Sequence, residues 1–228
     1  LNFEEIIMIS ALAGFAAGAI HVLTGPDHLA AISPLALDQK KSSWAVGFRW
    51  GLGHTTGVGL VGLLAMIGRE LIPVELISTY SERIVGLVLI SIGVWGIQKA
   101  LTKKIHSHHH THDGQEHVHM HVHTADLHES ENSHRHTHAA LAVGIIHGLA
   151  GSSHFLGILP ALALPTRTDA AVYLLAFGAG TIVAMMAFAS VMGAMAVSFA
   201  HKGIHLYKRL LVGFSAASIV IGGVWLFI

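Results

Sequence analysis

The chain has 228 residues, of which 53% are hydrophobic and only 11% charged, with 25 glycines. That composition excludes an ordinary soluble domain and matches a polytopic helical membrane protein. Its 13 basic and 13 acidic residues cancel, which argues against nucleic acid as a partner; with no cysteine there is neither a disulfide framework nor a thiolate metal site.

The N-terminus, Leu1-Asn2-Phe3-Glu4-Glu5, has no basic stretch, so no signal peptide is read there; it also lacks Met, which leaves open whether residues precede Leu1. Runs of about 20 apolar residues or more, enough to cross a bilayer, are predicted at 5–37, 43–68, 76–101, 139–164, 169–200 and 205–228. The first run reads as one broken span with an N-terminal extension, because its repeat partner at 139–164 is too short for two. Within it lies His21-Val-Leu-Thr-Gly25-Pro26-Asp27-His28. Two imidazoles and a carboxylate are costly at membrane depth, so such groups usually face a cavity and handle an ion or a proton. The Gly-Pro pair beside them is a helix break of the kind found in discontinuous transporter helices.

On the second span, Gly51-Leu-Gly-His54-Thr-Thr-Gly57 makes His54 the next candidate ligand, with Thr55 and Thr56 able to line the same path or to bond their own backbone. Gly14/Gly18, Gly47/Gly51 and Gly53/Gly57 are small-residue pairs that permit close helix approach. Residues 102–138 change character: most of the histidines fall here, mixed with Asp113, Glu116, Asp126, Glu129 and Glu131. With no apolar period, this segment is expected to be disordered when metal-free. Three units are therefore predicted: a first three-helix repeat at 1–101, a His-rich disordered cytoplasmic loop at 102–138 and a second three-helix repeat at 139–228.

The second unit echoes the first. At an offset of 126, His21, Gly25, His28 and Pro34 match His147, Gly151, His154 and Pro160. At 127, Gly51, Gly53 and Tyr80 match Gly178, Gly180 and Tyr207. Three spans per unit is an odd number, so the second unit enters from the opposite side. The expected fold is all-α and integral to the membrane: six transmembrane helices as two inverted three-helix repeats, the first helix of each broken, with the site near the midplane. Ten of the Lys and Arg residues, including Lys40, Lys103, Lys104 and Lys208, then share one side, which by the positive-inside rule is cytoplasmic. The His-rich loop falls inside and both termini outside, in the cell membrane.

In an unbroken helix His21 and His28 would share a face roughly 10 Å apart along the axis. Metal–nitrogen bonds of about 2 Å make joint ligation awkward at that distance, and the Gly-Pro break supplies the remedy. Asp27 is the natural group to offset a divalent charge. Its repeat partner is Ser153, so the two halves are chemically unequal. The candidate metal ligands are His21, Asp27, His28, His54, His147 and His154.

These residues resemble the nickel/cobalt permease superfamily, most of all its urease- and hydrogenase-associated permeases. His21-x5-Asp27-His28 is similar to the His/Asp-His signature, with one residue more between the first His and the Asp than in the best-known members. Gly51-Leu-Gly-His54-Thr resembles the Gly-His-Ser/Thr motif of the next helix. His147-Gly148-Leu-Ala150 is similar to a second signature, with Ser152 where an acid follows. The His-rich loop between two halves also resembles the cobalt/nickel efflux branch. The resemblance implies transport of Ni²⁺ or Co²⁺, with His21, Asp27, His28 and His54 carried over as functional positions, and leaves import and export both open.

The expected function is secondary transport of a divalent transition metal, most readily nickel or cobalt, with the ion as cargo and no tightly bound cofactor. No P-loop is present, and no enzymatic activity is expected. The alternatives are an intramembrane metalloenzyme or a metal sensor using the same histidines. Beyond the metal ion and the lipid bilayer, a second copy of the chain and a metallochaperone docking on the His-rich loop are the partners left open.

Overall fold

The computed structural model describes residues 2–39, 42–68, 74–102, 105–112, 115–122, 129–150, 160–161 and 163–227, with 64–68, 74–78, 105–112, 115–122, 129–138 and 201 described by backbone alone. Its elements in chain order are α1 (Phe3–Thr24), α2 (Pro26–Gln39), α3 (Ser43–Gly68), α4 (Val74–Thr102), β1 (Ile105–His112), β2 (Gln115–Val122), α5 (Glu129–Leu149), α6 (Arg167–Lys202) and α7 (Ile204–Trp225).

Helix α1 starts on a capping box. The Asn2 side chain accepts from the Glu5 amide at 2.8 Å, and the Glu5 carboxylate accepts from the Asn2 amide at 3.0 Å. It ends at Gly25, whose backbone is extended (φ −85°, ψ 101°) and whose amide donates back to His21 and Val22. The cause is Pro26, which disfavours the helical region for the residue before it and then opens α2 at the first helical position. The predicted break in the first span is thus present, and it divides 5–37 into two helices rather than kinking one.

Helix α2 is the centre of the molecule. Every residue from Ala30 to Leu37 is buried, and among the described elements α2 touches each of α1, α3, α4, α5, α6 and α7. Around it, the helices pack in pairs from opposite halves of the chain: α1 on α6, α3 on α5, and α4 on α7. Glycines make the first two pairs close. A Cβ on Gly18 would strike the Phe177 backbone, and one on Gly144 the Trp50 backbone. Thr55 adds a bond across the bundle, donating to the Gly178 carbonyl at 3.4 Å, whereas Thr56 bonds back to Leu52 of its own helix.

The outward surface is apolar. Leu175 is 76% exposed, Val220 66% and Leu12 65%, while Asp27 is 5% exposed. That inversion of soluble-protein burial, together with backbones that satisfy themselves in helices, is what a bilayer demands. Among the described residues four helical segments are long and apolar enough to cross a membrane: Phe3–Thr24, Thr79–Thr102, Arg167–Ala200 and Ile204–Trp225. The protein is an integral membrane protein of all-helical spanning structure. The second predicted span, 43–68, coincides with α3, whose last five residues are described by backbone alone; of the fourth, 139–164, the described apolar helix is Ala139–Leu149, and 151–159 lie outside the described residues.

Within the His-rich segment, the described backbone forms an antiparallel hairpin of β1 and β2, and α5 begins at Glu129 inside the segment. Residues 113–114, between the two strands, lie outside the described residues.

Candidate metal centre

The break at Gly25 faces two directions. The last turn of α1 presents His21; the first turn of α2 presents Asp27 and His28. In a straight helix the two histidines would be about two turns apart. Here their ring centroids lie 4.6 Å apart, edge to face. Helix α3 contributes His54 and helix α5 contributes His147, both fully buried. His28 stands among the others, its ring 4.9 Å from His54 and 4.7 Å from His147.

Asp27 binds imidazoles from both halves of the chain. His28 Nδ1 donates to one carboxylate oxygen at 3.0 Å, and His147 Nε2 donates to the other at 2.9 Å. Protonation of His28 at Nδ1 leaves its Nε2 as a lone-pair donor, so the carboxylate fixes which nitrogen can meet a metal. The carboxylate also sits in the first turn of α2, where the positive end of the helix dipole favours it. Gly25 is required by this geometry. A Cβ there would overlap His28 Nδ1 and come within 3.0 Å of Asp27 Oδ1.

Two overlapping ligand groups result: His21, His28 and His54, and Asp27, His28 and His147. In each, one ligand atom per residue lies within 4.8 Å of the others. Such a span closes around one ion with bonds of about 2 Å. The donors are imidazole nitrogen and carboxylate oxygen, a set that suits Ni, Co, Zn or Fe and does not select soft Cu(I).

Of the six predicted ligands, the structure brings five together: His21, Asp27, His28, His54 and His147. His154, like Ser153, lies outside the described residues. Sequence reasoning missed Trp50. Its ring stacks on His54 at 4.9 Å and 11°, stands 5.4 Å from His28 and 5.2 Å from His147, and is fully buried. The signal was present in the spacing, since residues four apart share a helix face. Trp225 closes the far side of His147 at 5.8 Å. Both indoles wall the imidazoles from the apolar bundle.

Comparison with known proteins gives the following. The family described as the cytochrome C biogenesis protein transmembrane region matches residues 9–225. The chain is 33% identical over 216 residues to the Chloroplast protein FOR GROWTH AND FERTILITY 1 of Arabidopsis thaliana, covering 94% of this chain and 58% of that protein. It is 34% identical over 217 residues to FOR GROWTH AND FERTILITY 2 of the same plant, covering 95% and 55%. It is 31% identical over 193 residues to the Urease accessory protein UreH of Bacillus sp. (strain TB-90), covering 83% of this chain and 79% of that protein. The chain spans little more than half the length of the two chloroplast relatives. No solved structure matches. The chain belongs to the cytochrome C biogenesis transmembrane-region family, in a group that includes UreH.

Proposed function

We propose that this member of the family is a secondary transporter of divalent transition-metal ions, with nickel or cobalt as cargo, and not an enzyme. One observation carries the reading. A buried carboxylate binds an imidazole from each half of the chain, and two more histidines stand within ligand distance, at a helix break inside an otherwise apolar bundle. Fixed polar groups at that position are expensive unless they handle an ion. The choice of nickel or cobalt rests on the likeness of His21-x5-Asp27-His28 and Gly51-Leu-Gly-His54-Thr to permease motifs, and likeness to a urease accessory protein is in keeping with it.

The ion is to be held by His21, His28 and His54 or by Asp27, His28 and His147, with His28 common to both and His154 a further ligand of the second half. Passing between the two groups moves cargo from ligands of the first half to ligands shared with the second. Six membrane crossings as two inverted repeats fit the packing of α1 on α6, α3 on α5 and α4 on α7, in which each half embraces the other. With that topology the hairpin lies in the cytoplasm, both termini lie outside, and rocking of one repeat against the other exposes the site to each side.

The competing reading is a sensor or an intramembrane metalloenzyme with the same ligands. Metal flux in proteoliposomes of defined orientation, with Ni, Co, Zn, Mn and Fe in competition, separates them. The expected result is saturable Ni²⁺ or Co²⁺ flux that Asp27→Asn abolishes. Binding without flux in the parent chain would convert the reading to a sensor, and undiminished flux in Asp27→Asn would remove the carboxylate from the mechanism.

A further inference from the structure

We propose that the groove between the start of α3 and the end of α6 is a binding site for one anionic phospholipid, with an acyl chain along its apolar wall and the phosphate at its polar end. The groove measures about 420 Å³ and is walled by Trp44 on one helix and by Gly193, Ala194 and Val197 on the other. Its origin lies in side-chain size. Helices α3 and α6 meet closely at Gly47, where a Cβ would overlap the Met185 carbonyl. Beyond that contact, Ser190, Gly193 and Ala194 are too small to fill the space between the helices, and the groove is what they leave.

One end of the groove is polar. Ser43 is 3% exposed, and what it exposes lines the groove; its hydroxyl has no hydrogen-bond partner among the described residues. Helix α3 begins at Ser43, so the positive end of its dipole points to the same place, a geometry that favours phosphate. Lys202 follows Ser198 by one turn on the same face of α6, with its ammonium 5.8 Å above the Phe199 ring. The residues lining the groove include no carboxylate. Depth agrees with this assignment. Helix α6 has 36 residues and is about 54 Å long against a hydrocarbon core of about 30 Å, so its last turn reaches the headgroup layer. Trp44, 52% exposed, is the kind of amphipathic ring that settles at that level. A phosphate answers the hydroxyl, the dipole and the ammonium together, which the apolar face of another helix does not. The ammonium also selects an anionic headgroup over a zwitterionic one. The site requires only that the protein lie in a bilayer and does not depend on the transport reading.

Trp44 is a built-in reporter, since bromine on a lipid chain quenches indole fluorescence only at short range. The full-length chain is reconstituted with brominated phosphatidylglycerol diluted in phosphatidylcholine, or with brominated phosphatidylcholine diluted in phosphatidylglycerol, at one mole fraction. Trp44→Phe supplies the signal of the other three tryptophans. Quenching of Trp44 should show the anionic lipid favoured about fivefold, the effect of one cation near the membrane surface. Lys202→Gln should remove most of that preference. Ala194→Leu, which fills the groove from its exposed wall, should lower quenching by both lipids. Lys208→Gln takes a charge from the same end of the bundle but away from the groove and should leave the preference unchanged. Equal quenching by the two lipids in the parent would overturn the site. Equal losses in Lys202→Gln and Lys208→Gln would overturn it too, because diffuse surface charge would then suffice. A Trp44 that neither lipid quenches, in a chain that sediments as a dimer, would overturn it in favour of a second copy.

Discussion

At the scale of single residues, the site depends on what Gly25 lacks as much as on what its neighbours carry. Its φ of −85° suits any residue, so Gly25→Ala should leave the helix break intact. The added methyl would nonetheless displace the His28 ring from Asp27. We expect Gly25→Ala to weaken metal affinity by roughly tenfold to a hundredfold, the range seen when a carboxylate partner of a liganding imidazole is lost, with little change in thermal stability. Isothermal titration beside a melting curve in micelles checks both halves of that statement. Trp50 should behave in the opposite way. As a fully buried indole stacked on His54, its truncation to Ala leaves a cavity and should cost about 3 kcal/mol. Trp50→Phe should recover much of that loss, read by unfolding in the same micelles. His21, Asp27, His28, His54 and His147 were all legible in the sequence because ionisable residues in apolar runs are conspicuous. Trp50 was not, since an aromatic residue in a membrane helix attracts no notice until its partner four residues on is known to be functional.

At the scale of elements, Pro26 does the dividing, and its effect could be read directly from the dipeptide. The depth of α2 could not. A 14-residue helix spans only about 21 Å, short of a hydrocarbon core of about 30 Å, and nothing local says that it will be enclosed by six others. Its far end is tied down by an ion pair between Asp38 and Lys99, with Lys99 also 4.7 Å above the Trp95 ring. Both side chains are mostly buried, so removing one partner strands the other. Lys99→Met alone should destabilise the bundle by roughly 2 kcal/mol, and adding Asp38→Asn should restore part of it. A double-mutant cycle on thermal unfolding measures the coupling; strictly additive losses would mean that the pair does not anchor α2. The pairing of β1 with β2 was not legible in the sequence, since residue composition draws attention to the number of histidines and away from their period of two.

At the scale of the whole molecule, the repeat in the sequence is echoed in which helices touch, but the equivalence is incomplete. Tyr80 and Tyr207 match in sequence, yet Tyr80 is 59% exposed and Tyr207 is buried, with its hydroxyl donating to the Leu37 carbonyl at 3.5 Å. Burial is set by partners that a pairwise match of residues does not contain. The proposed topology has a convenient test, because the chain has no cysteine of its own. Single cysteines at Asn2 and Phe227 should react with an impermeant maleimide from the same side of the membrane, and one at His110 from the other. Reaction of the two termini from opposite sides would rule out six crossings. Removal of the hairpin should stop short of Glu129, where α5 begins, and a chain lacking 105–124 should still carry metal, with altered apparent affinity. That shortened chain, with His128, His134, His136 and His138 also changed to Ala, permits the most direct test of the helical centre, since the other cluster of histidines is then gone. Titrated with Co²⁺, it should take up one ion with the visible d–d absorption of nitrogen and oxygen ligands, and His28→Ala, which removes the residue common to both ligand groups, should abolish that band. The same band in His28→Ala, or none in the parent, would contradict the account.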